Sequence, residues 1–282
     1  EAATRAFQPV ALGVTASMTI KNTVRRFASR NVVGMVEGSD PVLKHEYIIY
    51  TSHWDHYGIG PTINGDSIYN GALDNATGIG GTIEIGRAFT TLPARPKRSI
   101  VFLAVTAEEQ GLVGSDYYAR NPIYPLAKTL AVINMDSLNI YGRTRDLTVV
   151  GLGNSQLDDY AREAAAAQGR VLKPDPAPER GGYFRSDHFP FARQGVPAIN
   201  AGGGADYIDR PSDEVLKLQA EYTAQHYHKP SDEYRPDWDL RGAVQDLQVY
   251  FVMAYRIAMA DTYPQWSPTS EFKAKRDRMM AR

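Results

Sequence analysis

A chain of 282 residues with 43% hydrophobic and 22% charged side chains has enough apolar material for one large α/β domain or two small ones. Its 31 Lys and Arg nearly balance 32 Asp and Glu, so bulk electrostatics points to no nucleic-acid partner, and the longest apolar run, around Ile100 to Val105, is far too short to span a bilayer. The absence of cysteine removes disulfides, thiolate metal sites and cysteine nucleophiles together, so any metal must be held by histidine and carboxylate.

Residues 1–14 read as an irregular lead-in with no signal-peptide pattern. From Thr15 to Val36 two strand-like runs, TASMTIKNTV and NVVGMV, are predicted, with a turn at Ser29-Arg30-Asn31. A buried strand follows over Glu46 to Thr51 and ends at Ser52-His53-Trp54-Asp55-His56. The stretch Tyr57 to Asn70 reads as a Gly- and Asn-rich loop leading into GALDNATGIGG. There Asp74 and Asn75 precede a helix over Thr77 to Phe89, with Ile79, Ile83, Ile85 and Phe89 as its buried stripe.

Ser99 to Thr106 is uncharged and rich in β-branched residues, the composition of a strand buried on both faces. It delivers Glu108 and Glu109, then Gly111, Gly114 and a helix-like stretch. Leu130 to Met135 is a further buried strand, ending in Asp136. Three consecutive buried strands therefore end in His53, Glu108-Glu109 and Asp136, where an open α/β sheet keeps its site.

Leu147 to Val150 is a short strand, and Ser155 with Asp158 forms a capping-box pattern for a helix to about Gln168, closed by Gly169. A Pro- and Gly-rich loop leads to a short helix capped near Ser186 and stopped at Gly195, then a strand over Val196 to Asn200. Ala205 to Arg235 reads mostly as loop and contains Tyr227-His228. Asp239 to Asp261 is a long amphipathic helix, apolar at Leu240, Val244, Leu247, Phe251, Tyr255 and Ala258. Residues 266–282 form a charged tail expected to be mobile, which leaves 15–265 as one domain.

Nitrogen and oxygen ligands at strand ends suit zinc or a similar divalent ion. His53, Asp74, Glu109, Asp136 and His228 are one or two ligands too many for a single catalytic zinc, which usually takes three and a water. They fit two ions that share a bridging carboxylate, roughly 3.5–4 Å apart. Asp74, Glu109, Asp136 and a hydroxide then offset two dications, and Glu108 is left free as general base and later acid.

His53-Trp54-Asp55, Gly71 to Gly78, Glu108 to Ser115, Asn134-Met135-Asp136 and Tyr227 to Asp232 occur in that order. The set resembles the co-catalytic di-zinc exopeptidases of the leucine aminopeptidase and aminopeptidase Y type, relatives of glutamate carboxypeptidases and glutaminyl cyclases. The resemblance implies an α/β fold with a mixed, mostly parallel sheet of about eight strands flanked by helices. It implies two zinc ions, with His53 and Asp136 on one, Glu109 and His228 on the other, and Asp74 between them. Glu108 would be the base, Tyr227 the donor to the oxyanion, and Asp55 a support behind the ligands. Leu73 stands where many relatives have a second acid. His188, in Ser186-Asp187-His188, belongs to a motif that relatives keep near the substrate pocket without a zinc contact. His56 is expected to pack in its loop, and His45 and His226 to lie on the surface. An upstream protease-associated domain accompanies some relatives, and an extracellular or periplasmic location is expected.

No G-x-S-x-G nucleophile elbow occurs, which disfavours a serine hydrolase. A glutaminyl-cyclase-like acyltransferase would lose Asp-Asn-Ala after the bridging Asp, and an inert binding module would break at least one ligand; neither departure is present. The expected substrate is a peptide losing apolar N-terminal residues, its ammonium held by an acid-rich site. A carboxypeptidase or dipeptidase is the alternative, for which Arg180, Arg185 and Arg193 are the available cations.

Overall fold

In the computed structural model, which describes residues 8–24 and 26–281, the β-branched runs become strands β1 (Val32–Val36), β2 (Tyr47–His53), β3 (Gly58–Ile63), β4 (Asp66–Tyr69), β5 (Ser99–Val105), β6 (Thr129–Asn134), β7 (Asp146–Val150), β8 (Val171–Pro174) and β9 (Ala198–Gly202). Seven of them form one mixed sheet in the order β1-β5-β2-β6-β9-β7-β8, while β3 and β4 pair only with each other. The four central strands β5, β2, β6 and β9 run parallel, with β1 antiparallel at one edge and β7 antiparallel to β9. In register, His53 lies beside Val105 and Thr51 beside Asn134, so the C-terminal ends of β2, β5 and β6 share one edge.

The helices are α1 (Thr77–Thr90), α2 (Val113–Arg120), α3 (Leu157–Ala166), α4 (His188–Arg193), α5 (Ser212–Gln225), α6 (Arg241–Met259) and α7 (Lys273–Met280). Alternation along each central strand feeds two cores. Ile48 and Tyr50 of β2 face α1, α3 and α6, whereas Tyr47 and Ile49 face α2, α4 and the aromatic pair Trp266 and Phe272.

Several sequence expectations change. TASMTIKNTV forms no strand: Met18 and Ile20 are exposed, and the chain there runs without a ladder partner. The predicted turn at Ser29-Arg30-Asn31 is instead an anchor, where Asn31 Nδ2 donates to the Gly114 carbonyl at 2.8 Å and Trp54 Nε1 to the Arg30 carbonyl at 3.0 Å. The region expected to be loop from Ala205 contains the 14-residue helix α5, which buries only Val215 and so carries almost no apolar stripe to read. The tail is not free either. Trp266, Phe272 and Arg276 are buried, and the Arg276 guanidinium donates to the carbonyls of Leu126 and Thr129 beside the start of β6.

Helix α6 is present but rotated from the predicted stripe. Leu240, Val244 and Tyr255 are exposed, while Gly242, Ala243, Asp246, Val249, Tyr250, Met253, Ala254, Ile257 and Ala258 face inward, with Leu247 and Phe251 packed beside them. Small residues let the helix lie close to the sheet, and a buried ion pair, Asp246 to Arg170 at 2.7 Å, fixes its rotation. Helix α1 likewise seats Gly78, Gly81 and Thr82 with Ile85 and Phe89, leaving Ile83 outside.

Candidate active site

Each strand end opens into a short segment that turns one polar side chain toward a common point. After β5 the chain passes through Ala107 at φ 54 and closes a turn in which the Gly111 and Leu112 amides donate to the Glu108 carbonyl. Gly114 then lies so close to Thr106 that a Cβ would meet its carbonyl oxygen at 2.3 Å. Asp74 sits in an irregular turn before α1. Its amide and that of Leu73 donate to the buried Asp232 carboxylate at 3.1 and 3.0 Å. Asn75 ties this turn to the end of β6, donating to the Met135 carbonyl and accepting from the Ser137 and Gly78 amides.

The result is one cluster. His53 Nε2 lies 3.0 Å from Asp74 Oδ1 and 3.5 Å from Asp136 Oδ1. His228 Nε2 lies 3.2 Å from Asp74 Oδ2 and 3.1 Å from Glu109 Oε2. The two oxygens of Asp74 thus serve different neighbours, His53 with Asp136 on one side and His228 with Glu109 on the other. His53, Asp74 and Asp136 converge closely enough to hold one metal ion, and a further convergence includes His53, Glu108 and Glu109.

A third convergence, of His56, Asp74 and Glu109, was not anticipated from the sequence. His56 Nδ1 is 2.6 Å from Glu109 Oε1, so this residue meets the cluster rather than only packing in its loop. Glu109 stands between two histidines, one oxygen toward each. Nothing in the spacing of HWDHYG distinguishes His56 from a loop residue. His188 is buried against Tyr183 outside these convergences, and burial pulls its pKa down to about 3.

Neighbouring groups hold the cluster in shape. His53 Nδ1 donates to the Asp55 carbonyl at 2.8 Å, leaving Nε2 free toward Asp74. The Asp55 carboxylate accepts from the Ala107 amide at 2.8 Å and from the Thr106 hydroxyl, bracing the loop that carries the two glutamates. Ser186 Oγ donates to Asp136 Oδ2 at 2.7 Å and accepts from Asn134 Nδ2 at 2.7 Å. Tyr57 Oη is 3.1 Å from His228 Nδ1. The sequence marks Ser186 and Asp232 as parts of motifs, but their partners are visible only in three dimensions.

Electrostatics favours a cation here. Burial opposes charge on His53, yet hydrogen bonds to Asp136 and Asp74 push its pKa up to about 12. Burial would raise Asp74, but His228 and His53 hold it well below the usual carboxylate range. Burial, with Asp136 and Asp187 adding repulsion, pushes Glu108 up to about 9. The cluster gathers four carboxylates around three histidines, and all its donors are nitrogen or oxygen, so the donor set fits hard-to-borderline divalent ions. Burial and the nearby acids raise the Tyr227 phenol, which remains a donor at neutral pH. A cavity of about 760 Å³ opens beside Glu108, Glu109, Tyr227 and His228, and a smaller one of about 230 Å³ reaches Asp74, Glu108, Asp136 and Tyr227.

The sequence pattern of Peptidase family M28 matches residues 31–252. Among curated proteins, Aminopeptidase NAALADL1 of Mus musculus is 33% identical over 129 residues, covering 44% of this chain and 16% of its own length. Probable leucine aminopeptidase 2 of Aspergillus fumigatus is 29% identical over 206 residues, covering 69% of this chain and 37% of its own. The chain therefore spans well under half the length of these relatives. In fold it is similar to Legionella pneumophila LapA, with a TM-score of 0.60, 19% identity, and 82% and 57% of the two chains covered. It is also similar to a zinc aminopeptidase from Bacillus subtilis, with a TM-score of 0.58, 22% identity, and 86% and 52% covered. With the match running from β1 through most of α6 and taking in every residue of the cluster, the chain belongs to peptidase family M28.

Proposed function

We propose that this chain is a zinc-dependent aminopeptidase whose site holds two ions, His53 and Asp136 serving one, Glu109 and His228 the other, and Asp74 both. The observation that carries the proposal is the divided carboxylate of Asp74, with Oδ1 toward His53 and Oδ2 toward His228. When bound, the ions polarise the scissile carbonyl and acidify the attacking water. Glu108, half-buried beside the cluster and near His53, takes that water's proton and passes it to the leaving nitrogen. With ions bound, Glu108 would be favoured in the ionised form that a general base needs, against the burial and repulsion that raise its pKa. Tyr227 donates its phenolic hydrogen to the oxyanion. His56 and Tyr57 orient Glu109 and His228 from behind.

The test is a panel of amino-acyl anilides and their N-acetylated counterparts, assayed with and without chelator. Release of unblocked N-terminal residues, abolished by chelation and by acetylation, is the expected result. Turnover that survives complete metal removal would sink the proposal.

A further inference from the structure

Three arginines line the larger cavity, and they differ in what they already hold. Arg120 pairs with Asp116 at 2.8 Å, and Arg193 pairs with the same carboxylate while covering the Phe189 ring. Arg185 is exposed and has no ion pair or side-chain hydrogen bond among the described residues. Its backbone is nevertheless fixed: its amide donates to the Gly182 carbonyl at 3.2 Å, and its neighbour Ser186 donates to Asp136. It lines both cavities, as do Glu108 and Tyr227.

The acids give the complementary picture. Outside the cluster, Asp116 is the one acid lining either cavity among the described residues, and two arginines neutralise it. With Asp74, Glu109 and Asp136 committed to ions, the uncommitted charge beside Glu108 is positive. Of the three cations that the sequence offers for carboxylate capture, Arg185 is placed to meet an anion of the substrate.

We infer that Arg185 is a carboxylate clamp that engages the free C-terminus on the leaving side of the scissile bond, so that short peptides, dipeptides first, are the favoured substrates. The inference deepens the exopeptidase reading and rests on it. An acidic side chain offers the same chemistry, so the two sources must be separated.

The experiment compares kcat and KM for Leu-Gly, Leu-Gly amide and Leu-Asp amide in the zinc-loaded wild type, Arg185→Gln and Arg185→Lys. A charge-assisted hydrogen bond predicts Leu-Gly to be preferred over its amide by about 10- to 100-fold, chiefly through KM. Arg185→Gln should remove most of that preference while leaving the amide's turnover little changed, and Arg185→Lys should restore part of it. Equal use of acid and amide by the wild type, or an unchanged ratio in a folded Arg185→Gln protein, would overturn the inference. Preference for Leu-Asp amide over Leu-Gly would overturn the short-peptide assignment and give the clamp to an acidic side chain. Calorimetric binding of the same three peptides to zinc-loaded Glu108→Gln protein repeats the comparison without turnover. If the wild type cleaved none of them, the exopeptidase reading would fail, and tighter binding of acid than amide would still decide the role of Arg185.

Discussion

Glu108 and Glu109 are neighbours in sequence with opposite surroundings. Glu109 is held between His56 and His228, whereas Glu108 faces the cavities and is destabilised as an anion by burial and by Asp136. Glu108→Gln keeps size and hydrogen bonding but cannot accept a proton, so kcat should fall by about 10²–10⁴-fold with metal content unchanged. Glu109→Gln removes a charged donor and should instead lower metal occupancy, measured by elemental analysis after gel filtration. Reversed phenotypes would exchange the two roles. These residues were legible because acids and histidines stand out at the ends of uncharged strands. The contacts of His56, Ser186 and Asp232 were not, since each spans a sequence distance that no local pattern encodes.

At the scale of elements, the central strands and α1 were legible from uncharged β-branched runs and from the turn residues that bound them. Readings failed where the face of a helix was misjudged. On α6 the inward face joins Val249, Tyr250, Met253 and Ile257 to small residues around an Arg170–Asp246 pair, while Leu240, Val244 and Tyr255 of the predicted stripe stay exposed. The hairpin β3–β4 carried a usable signal in Asn64-Gly65, both at positive φ, within a stretch read as loop. Helix α7 was masked by its charge, since five of its eight residues are Lys, Arg or Asp. Its entry is held by Phe272, which is 7% exposed and contacts Trp266, Tyr183 and Phe189. Phe272→Ala should therefore destabilise the protein by about 3–5 kcal/mol in urea unfolding. An effect under about 0.5 kcal/mol, the range of ordinary surface substitutions, would mean that the tail does not pack as described.

Across the whole molecule, the site is a consequence of topology. Parallel pairing of β5, β2 and β6 sets three chain segments side by side at one edge, and helices on both faces seal the sheet beneath them. The fourth and fifth contributions come from the turn before α1 and from the segment after α5, joined by Asp232. A sheet of this kind could support a single ion with His53, Asp74 and Asp136 alone. A two-ion site differs from that simpler one in the bridging role of Asp74. Anomalous diffraction at the zinc edge from crystals of the zinc-loaded protein tests it most directly. Two peaks of comparable occupancy roughly 3.5–4 Å apart are expected, with one Asp74 oxygen toward each. A single peak beside His53 and Asp136 in protein of full activity, with Glu109 and His228 bound to nothing, would contradict it.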